Sequence, residues 1–143
     1  MGEVRLGTEE IRYIALFESL TGAVVRDCII DEVNDKVIFV VKRGDMGLAI
    51  GRKGDNINRV RRSIGKNIEV IEYSDDLSEF IENSFQPINV QKVNIVDKNN
   101  KCLVYVDIPN KDKGLAIGKN GRNIWKVKLL AQRHHGVTDV FIQ

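Results

Sequence analysis

Gly47-Leu-Ala-Ile-Gly51-Arg-Lys-Gly54 returns as Gly114-Leu-Ala-Ile-Gly118-Lys-Asn-Gly121, 67 residues further along a chain of 143. A phrase repeated at that distance makes the chain a tandem of two small units, each near the lower size limit for an independent core. Both copies end in Gly-x-x-Gly with basic side chains at the variable positions, and both run into a helix-patterned segment. Such a turn suits an anion: absent Cβ atoms permit close approach, outward amides donate, and the positive end of the helix dipole lies behind them. One Gly-x-x-Gly is weak evidence, because many joints between helices hold two glycines. Two copies in matching context are strong, and they point to nucleic acid.

Working outward, the elements before and after the two phrases also repeat. Thr8 is the expected cap of a first helix, with Glu9 and Glu10 in its first turn, Ile11, Ile14, Ala15 and Leu16 opening its buried face, and Gly22 as its stop. Val24 to Ile30 and Val37 to Val41 are rich in β-branched residues around a polar turn at Asn34-Asp35, which predicts a hairpin. Met46 to Ile50 reads as a short helix, Asp55 to Ile64 as a longer one ended by Gly65, and Asn67 to Tyr73 as a closing strand.

The second half gives a helix from Asp76 to Ser84, strands Val90 to Val96 and Cys102 to Ile108, a second helical pair, and a strand from Val137 to Ile142. Its hairpin turn reads as one residue shorter, and the segment before Gly114 as two residues longer. Each unit is therefore α-β-β-α-α-β, an α/β (α+β) fold with a three-stranded mixed sheet, since a strand-helix-helix-strand crossover makes its two strands parallel. The units are expected at residues 1–74 and 75–143. Tyr73-Ser-Asp-Asp76 joins them without a Gly/Ser spacer, so they are expected to be rigidly packed in tandem.

The helix after each phrase carries a duplicated core stripe, Ile57, Val60 and Ile64 in the first copy and Ile124, Val127 and Ala131 in the second. Arg59 and Arg62 lie away from that stripe, where the second copy has Lys126 and Leu129, and Trp125 replaces Asn58. Trp125 is read as an anchor between the units in preference to a base-stacking residue.

The composition bounds the partners. There are 22 basic and 20 acidic side chains, a net charge of +2, so a nucleic-acid surface has to be local. No run approaches the 18 or so apolar residues of a membrane span, and Met1 to Arg12 does not read as a signal peptide, so no membrane partner and a cytoplasmic location are expected. Cys28 and Cys102 sit singly in β-like runs and are read as buried reduced thiols, with neither a disulfide nor a zinc site.

On the two Gly-x-x-Gly phrases and the α-β-β-α-α-β order, the chain resembles KH domains of type II over nearly its whole length. The resemblance implies single-stranded RNA as partner, about four nucleotides clamped per unit by their backbone. It puts Gly51, Arg52, Lys53 and Gly54 in the first signature loop and Gly118, Lys119, Asn120 and Gly121 in the second. Ile50 and Ile57 with Arg59, and Ile117 and Ile124 with Arg122, complete the candidate RNA contacts.

Two abutting units with Ala49-Ile-Gly-Arg-Lys-Gly54 and Ala116-Ile-Gly-Lys-Asn-Gly121 are further similar to short archaeal NusA-related transcription termination and antitermination factors. That implies a grip on nascent RNA. These 143 residues have no room for the polymerase-binding domain or oligonucleotide-binding barrel of bacterial NusA, so any RNA polymerase contact is expected to be indirect or weak, and the chain a monomer. Near the loops, Arg52 and Lys53 against Asp55 leave +1, whereas Lys119 and Arg122 give +2, so the second copy is expected to hold phosphate harder.

Other classes fit less well. Gly114 to Asn120 lacks one spacer and the Ser/Thr of a nucleotide-binding P-loop, and a helix, not a strand, precedes it. His134 and His135 are adjacent near a helix end and are read as capping or surface residues, not metal ligands. No catalytic set emerges, so the chain is expected not to be an enzyme and to need no cofactor. Two readings stay open beside transcription: an RNA-binding adaptor in ribosome biogenesis or RNA decay, and a protein scaffold whose loops are only joints. The basic cluster of Arg52, Lys53, Arg59, Arg61 and Arg62 speaks against the scaffold.

Overall fold

The computed structural model describes Val4 and residues 6–143. Met1–Glu3 and Arg5, part of the stretch read above for a signal peptide, lie outside the described residues. The described chain divides into two compact units, one of residues 6–73 and one of residues 74–143 together with Val4. The first holds α1 (Thr8–Thr21), β1 (Val25–Asp31), β2 (Lys36–Val41), α2 (Met46–Ile50), α3 (Asp55–Ile64) and β3 (Asn67–Glu72). The second holds α4 (Leu77–Phe85), β4 (Lys92–Lys98), β5 (Lys101–Asp107), α5 (Lys113–Ile117), α6 (Arg122–His135) and β6 (Asp139–Ile142).

Both sheets have the topology that the crossover argument requires. In the first, β2 is central, antiparallel to β1 and parallel to β3, with Phe39 opposite Cys28 and Val70. In the second, β5 is central, antiparallel to β4 and parallel to β6, with Val104 opposite Ile95 and Val140. Each unit has its own core beneath the helices. Tyr13, Phe17, Phe39, Ala49 and Val60 build the first, with the Phe17 and Phe39 rings 4.3 Å apart. Phe85, Val104, Val106, Ala116, Val127 and Ala131 build the second. Burying each of these larger side chains contributes about 1.5–3 kcal/mol.

Several local expectations change. The cap of α1 is Gly7, not Thr8: its amide donates to Glu10 Oε2 at 2.7 Å, so Glu10 reaches back over the helix start. The buried face of α1 is Tyr13, Phe17 and Thr21, one residue per turn, while Ile11 and Ala15 are exposed. The aromatic rings fill the volume over the sheet and turn the smaller apolar residues outward. Ile29, Ile38, Val40 and Ile71, which alternate along the strands with that first core set, are buried as well.

The hairpins also differ. Four residues join Asp31 to Lys36, but Asn99 and Asn100 alone join Lys98 to Lys101, so the second turn is two residues shorter, not one. Both asparagines have positive φ, 53° and 63°, as a two-residue hairpin turn matched to strand twist demands. The two extra residues before Gly114 compensate, and the insertion folds as a turn of 3₁₀ helix at Asn110–Asp112. Cys28 is buried as expected, but Cys102 is only partly covered. Burial, then the nearby Asp97 carboxylate, raises the Cys102 thiol above the ordinary range. Among the described residues no helix is long and apolar enough to cross a membrane.

Candidate nucleic-acid interface

Each Gly-x-x-Gly sits between a five-residue helix and a longer one. Ala49 and Ala116, fully buried, pin the short helices to their cores. Leu48, Leu115 and Ile117 are 50%, 68% and 46% exposed, large values for side chains of this size, and Ile50 is half-buried beside them. The loops therefore carry apolar surface on their leading side. Ile57 and Ile124, on the following helices, are half-buried next to the loops. Arg52, Lys53, Lys119 and Asn120 are exposed, as are Arg59, Arg61 and Arg62 on α3.

The two glycines of each loop do different work. Gly51 has φ 77° and ψ 175°, Gly118 φ 81° and ψ 170°, a region open essentially to glycine alone. A Cβ on Gly51 would lie 2.7 Å from Asn56 Cγ, and one on Gly118 2.6 Å from Asn123 Cβ. The first glycine is thus required by packing inside the protein. Gly54 and Gly121 have left-handed backbone, φ 78° and 68°, yet a Cβ would come no nearer than 3.6 Å to other atoms at Gly54 and would find nothing within 4 Å at Gly121. The second glycine has room for a side chain, with ordinary contacts at Gly54 and open space at Gly121.

The expectation of free glycine amides needs correction. Gly51 and Gly118 donate to the carbonyls of Gly47 and Gly114, and Gly54 and Gly121 to those of Gly51 and Gly118. The amides of the intervening pairs, Arg52 with Lys53 and Lys119 with Asn120, take no part in these bonds. Lys53 and Asn120 have positive φ, 54° and 58°. Asparagine tolerates that conformation far better than lysine does.

Two residues that sequence reasoning passed over complete the loops. Asn56 Nδ2 donates to the Leu48 carbonyl at 2.7 Å, and Asn123 Nδ2 donates to the Ala116 carbonyl at 2.9 Å. They are repeat equivalents, each two residues past its Gly-x-x-Gly, and that shared position was the available signal. In the second unit Lys126 Nζ also donates to Asn123 Oδ1 at 2.9 Å, and Lys126 is 2% exposed, not solvent-facing like its counterpart Arg59.

The helices differ around the substituted position. Asn58 Oδ1 accepts from Arg61, one turn away from the loop. Trp125 carries the Arg122 guanidinium 3.6 Å above its ring, on the loop side. The histidines are not surface residues: His134 is buried edge-on to Phe80, and His135 Nε2 is 2.9 Å from the Ser74 carbonyl. The apolar stripe of α6 reaches its last turn and draws both rings toward α4.

Comparison with known proteins agrees with this geometry. A KH domain model matches residues 10–101, and a model of the NusA-like second KH domain matches residues 77–134. This chain belongs to the NusA-like family of KH-domain proteins. It is similar to the "Probable transcription termination protein NusA" of Methanococcus vannielii, 41% identical over 96% of this chain and 78% of that protein. The Halobacterium salinarum protein of the same name is 35% identical over 96% of both chains. The crystal structure of APE1850 matches with a TM-score of 0.79 at 40% identity, covering 96% of this chain and all of that one.

Proposed function

We propose that this chain is a single-stranded RNA-binding factor of transcription termination or antitermination that grips nascent RNA through its two Gly-x-x-Gly loops. The observation that supports it best is the built repetition of the loop: two exposed turns of the same backbone shape, each at the start of a longer helix and flanked by cations and apolar side chains. Phosphates would lie against Arg52, Lys53 and Gly54 in one unit and Lys119, Gly121 and Arg122 in the other. Bases would rest on Ile50 and Ile57, and on Ile117 and Ile124, by dispersion. Arg59 would extend the basic surface of the first unit.

The chain would act in the cytoplasm as a monomer, with only indirect or weak contact to RNA polymerase, and without catalysis. In-cell crosslinking of bound RNA separates this reading from its alternatives. Enrichment of nascent transcripts across many genes is the expected result. Recovery of ribosomal precursors or decay intermediates alone would move the function to those processes. A salt titration with a single-stranded oligonucleotide should show log affinity falling with log salt by about 0.7 per phosphate contact. A flat response would leave the loops as joints in a scaffold.

A further inference from the structure

Asn56 and Asn123 lie where loop shape is decided. The short helices α2 and α5 have five residues each, too few to be stable alone, and their last carbonyls lack intrahelical partners. The asparagine amide supplies a donor to one of those carbonyls from the first turn of the next helix, bridging across the loop. The same side chain fills the space beneath the first glycine, where a Cβ could not fit. Glycine and asparagine therefore act as one packed unit, present in both copies.

The two clamps differ in their acceptors, Leu48 and Ala116 not being repeat equivalents, and in what orients the asparagine. Lys126 is buried, and its ammonium can only donate, so its bond to Asn123 Oδ1 fixes which end of the amide faces the Ala116 carbonyl. A charge-assisted bond of this kind is stronger than a neutral one. At the equivalent position of the first unit stands Arg59, exposed to solvent.

We propose that Asn56 and Asn123 are positioning residues that hold the two loops in their binding shape, and that Lys126 locks the second loop through Asn123 while the first stays adaptable. The proposal rests on the RNA-binding reading above and concerns how its sites are held. A locked loop loses less freedom on binding, so the second unit would be preorganised and the first would adjust to the strand.

Amide hydrogen exchange on the full-length unliganded protein tests the lock without any variant. The Gly121 amide should exchange more slowly than the Gly54 amide, and equal or reversed rates would overturn the lock. With a single-stranded RNA oligonucleotide, Asn123→Ala should bind about three- to tenfold more weakly at an unchanged salt slope, because phosphate contacts are kept and only preorganisation is lost. Lys126→Met should speed Gly121 exchange to the rate of Gly54. Unchanged affinity in a folded Asn123→Ala protein would overturn the clamp, and so would a slope reduced by one contact, which would make Asn123 a phosphate ligand. If the unaltered protein binds no RNA, the functional reading falls and this proposal with it. RNA binding that persists while Asn123→Ala behaves like the parent sinks the clamp alone.

Discussion

The loops of the two units share their glycines and backbone angles but differ in how neighbouring side chains are spent. In the first, Lys53 occupies the left-handed position, Asp55 opens the following helix, and Asn58 accepts a hydrogen bond from Arg61. In the second, asparagine takes the left-handed position, Arg122 opens the helix, and Trp125 holds that arginine beside the loop. The first loop sets two cations, one of them on strained backbone, against a neighbouring carboxylate, while the second is relaxed and its arginine is held in place. The repeat keeps the backbone solution while the side chains around it diverge.

The glycines offer the largest test of what is shared. Gly51→Ala and Gly118→Ala each force a Cβ against an asparagine in a glycine-only conformation, and each should cost roughly 3 kcal/mol, combining backbone strain with overpacking. Gly54→Ala meets only ordinary contacts and Gly121→Ala open space, so each should cost about 1 kcal/mol, the ordinary penalty for left-handed backbone. Urea unfolding of the four variants measures this. Equal losses at first and second glycines would break the division between packing and ligand-facing positions.

Much of this was legible because apolar periodicity and repetition are strong signals. The β-branched runs fixed six strands to within about two residues, and Gly22 and Gly65 ended helices in left-handed backbone. What escaped depends on tertiary contact. A polar asparagine in the first turn of a helix looks like a solvent residue, so Asn56 and Asn123 gave no warning until their carbonyl partners were in view. Lys126 was read from its exposed counterpart Arg59, and a buried lysine is rare enough that no pattern announces it. The aromatic face of α1 was missed because Ile11 and Ala15 fit a helical stripe as well as Tyr13 and Phe17 do.

The charge difference gives the next test. An aspartate at the second glycine adds an anion where phosphate would approach, on a backbone that aspartate tolerates. Gly121→Asp should weaken RNA binding about tenfold, comparable to losing one charge-assisted hydrogen bond. Gly54→Asp should weaken it less, because Asp55 already lowers the charge around the first loop. Equilibrium binding at a single fixed salt concentration ranks the two. The reverse order would mean that the first loop carries the tighter phosphate contact in spite of Asp55.

The smallest effect isolates backbone strain from charge. Lysine gains nothing from the left-handed region, whereas an asparagine side chain can hydrogen-bond locally there, so Lys53→Asn should stabilise the first unit by a few tenths to about 1 kcal/mol. Asn120→Lys should destabilise the second by a similar amount. The same exchange moves one positive charge from the first loop to the second, so RNA binding should respond oppositely to stability: Lys53→Asn more stable and weaker binding, Asn120→Lys less stable and tighter binding. Thermal unfolding and RNA titration on the two variants read both quantities. If stability and affinity instead rise or fall together, loop order governs binding more than loop charge, and the second unit's relaxed backbone outweighs its extra cation.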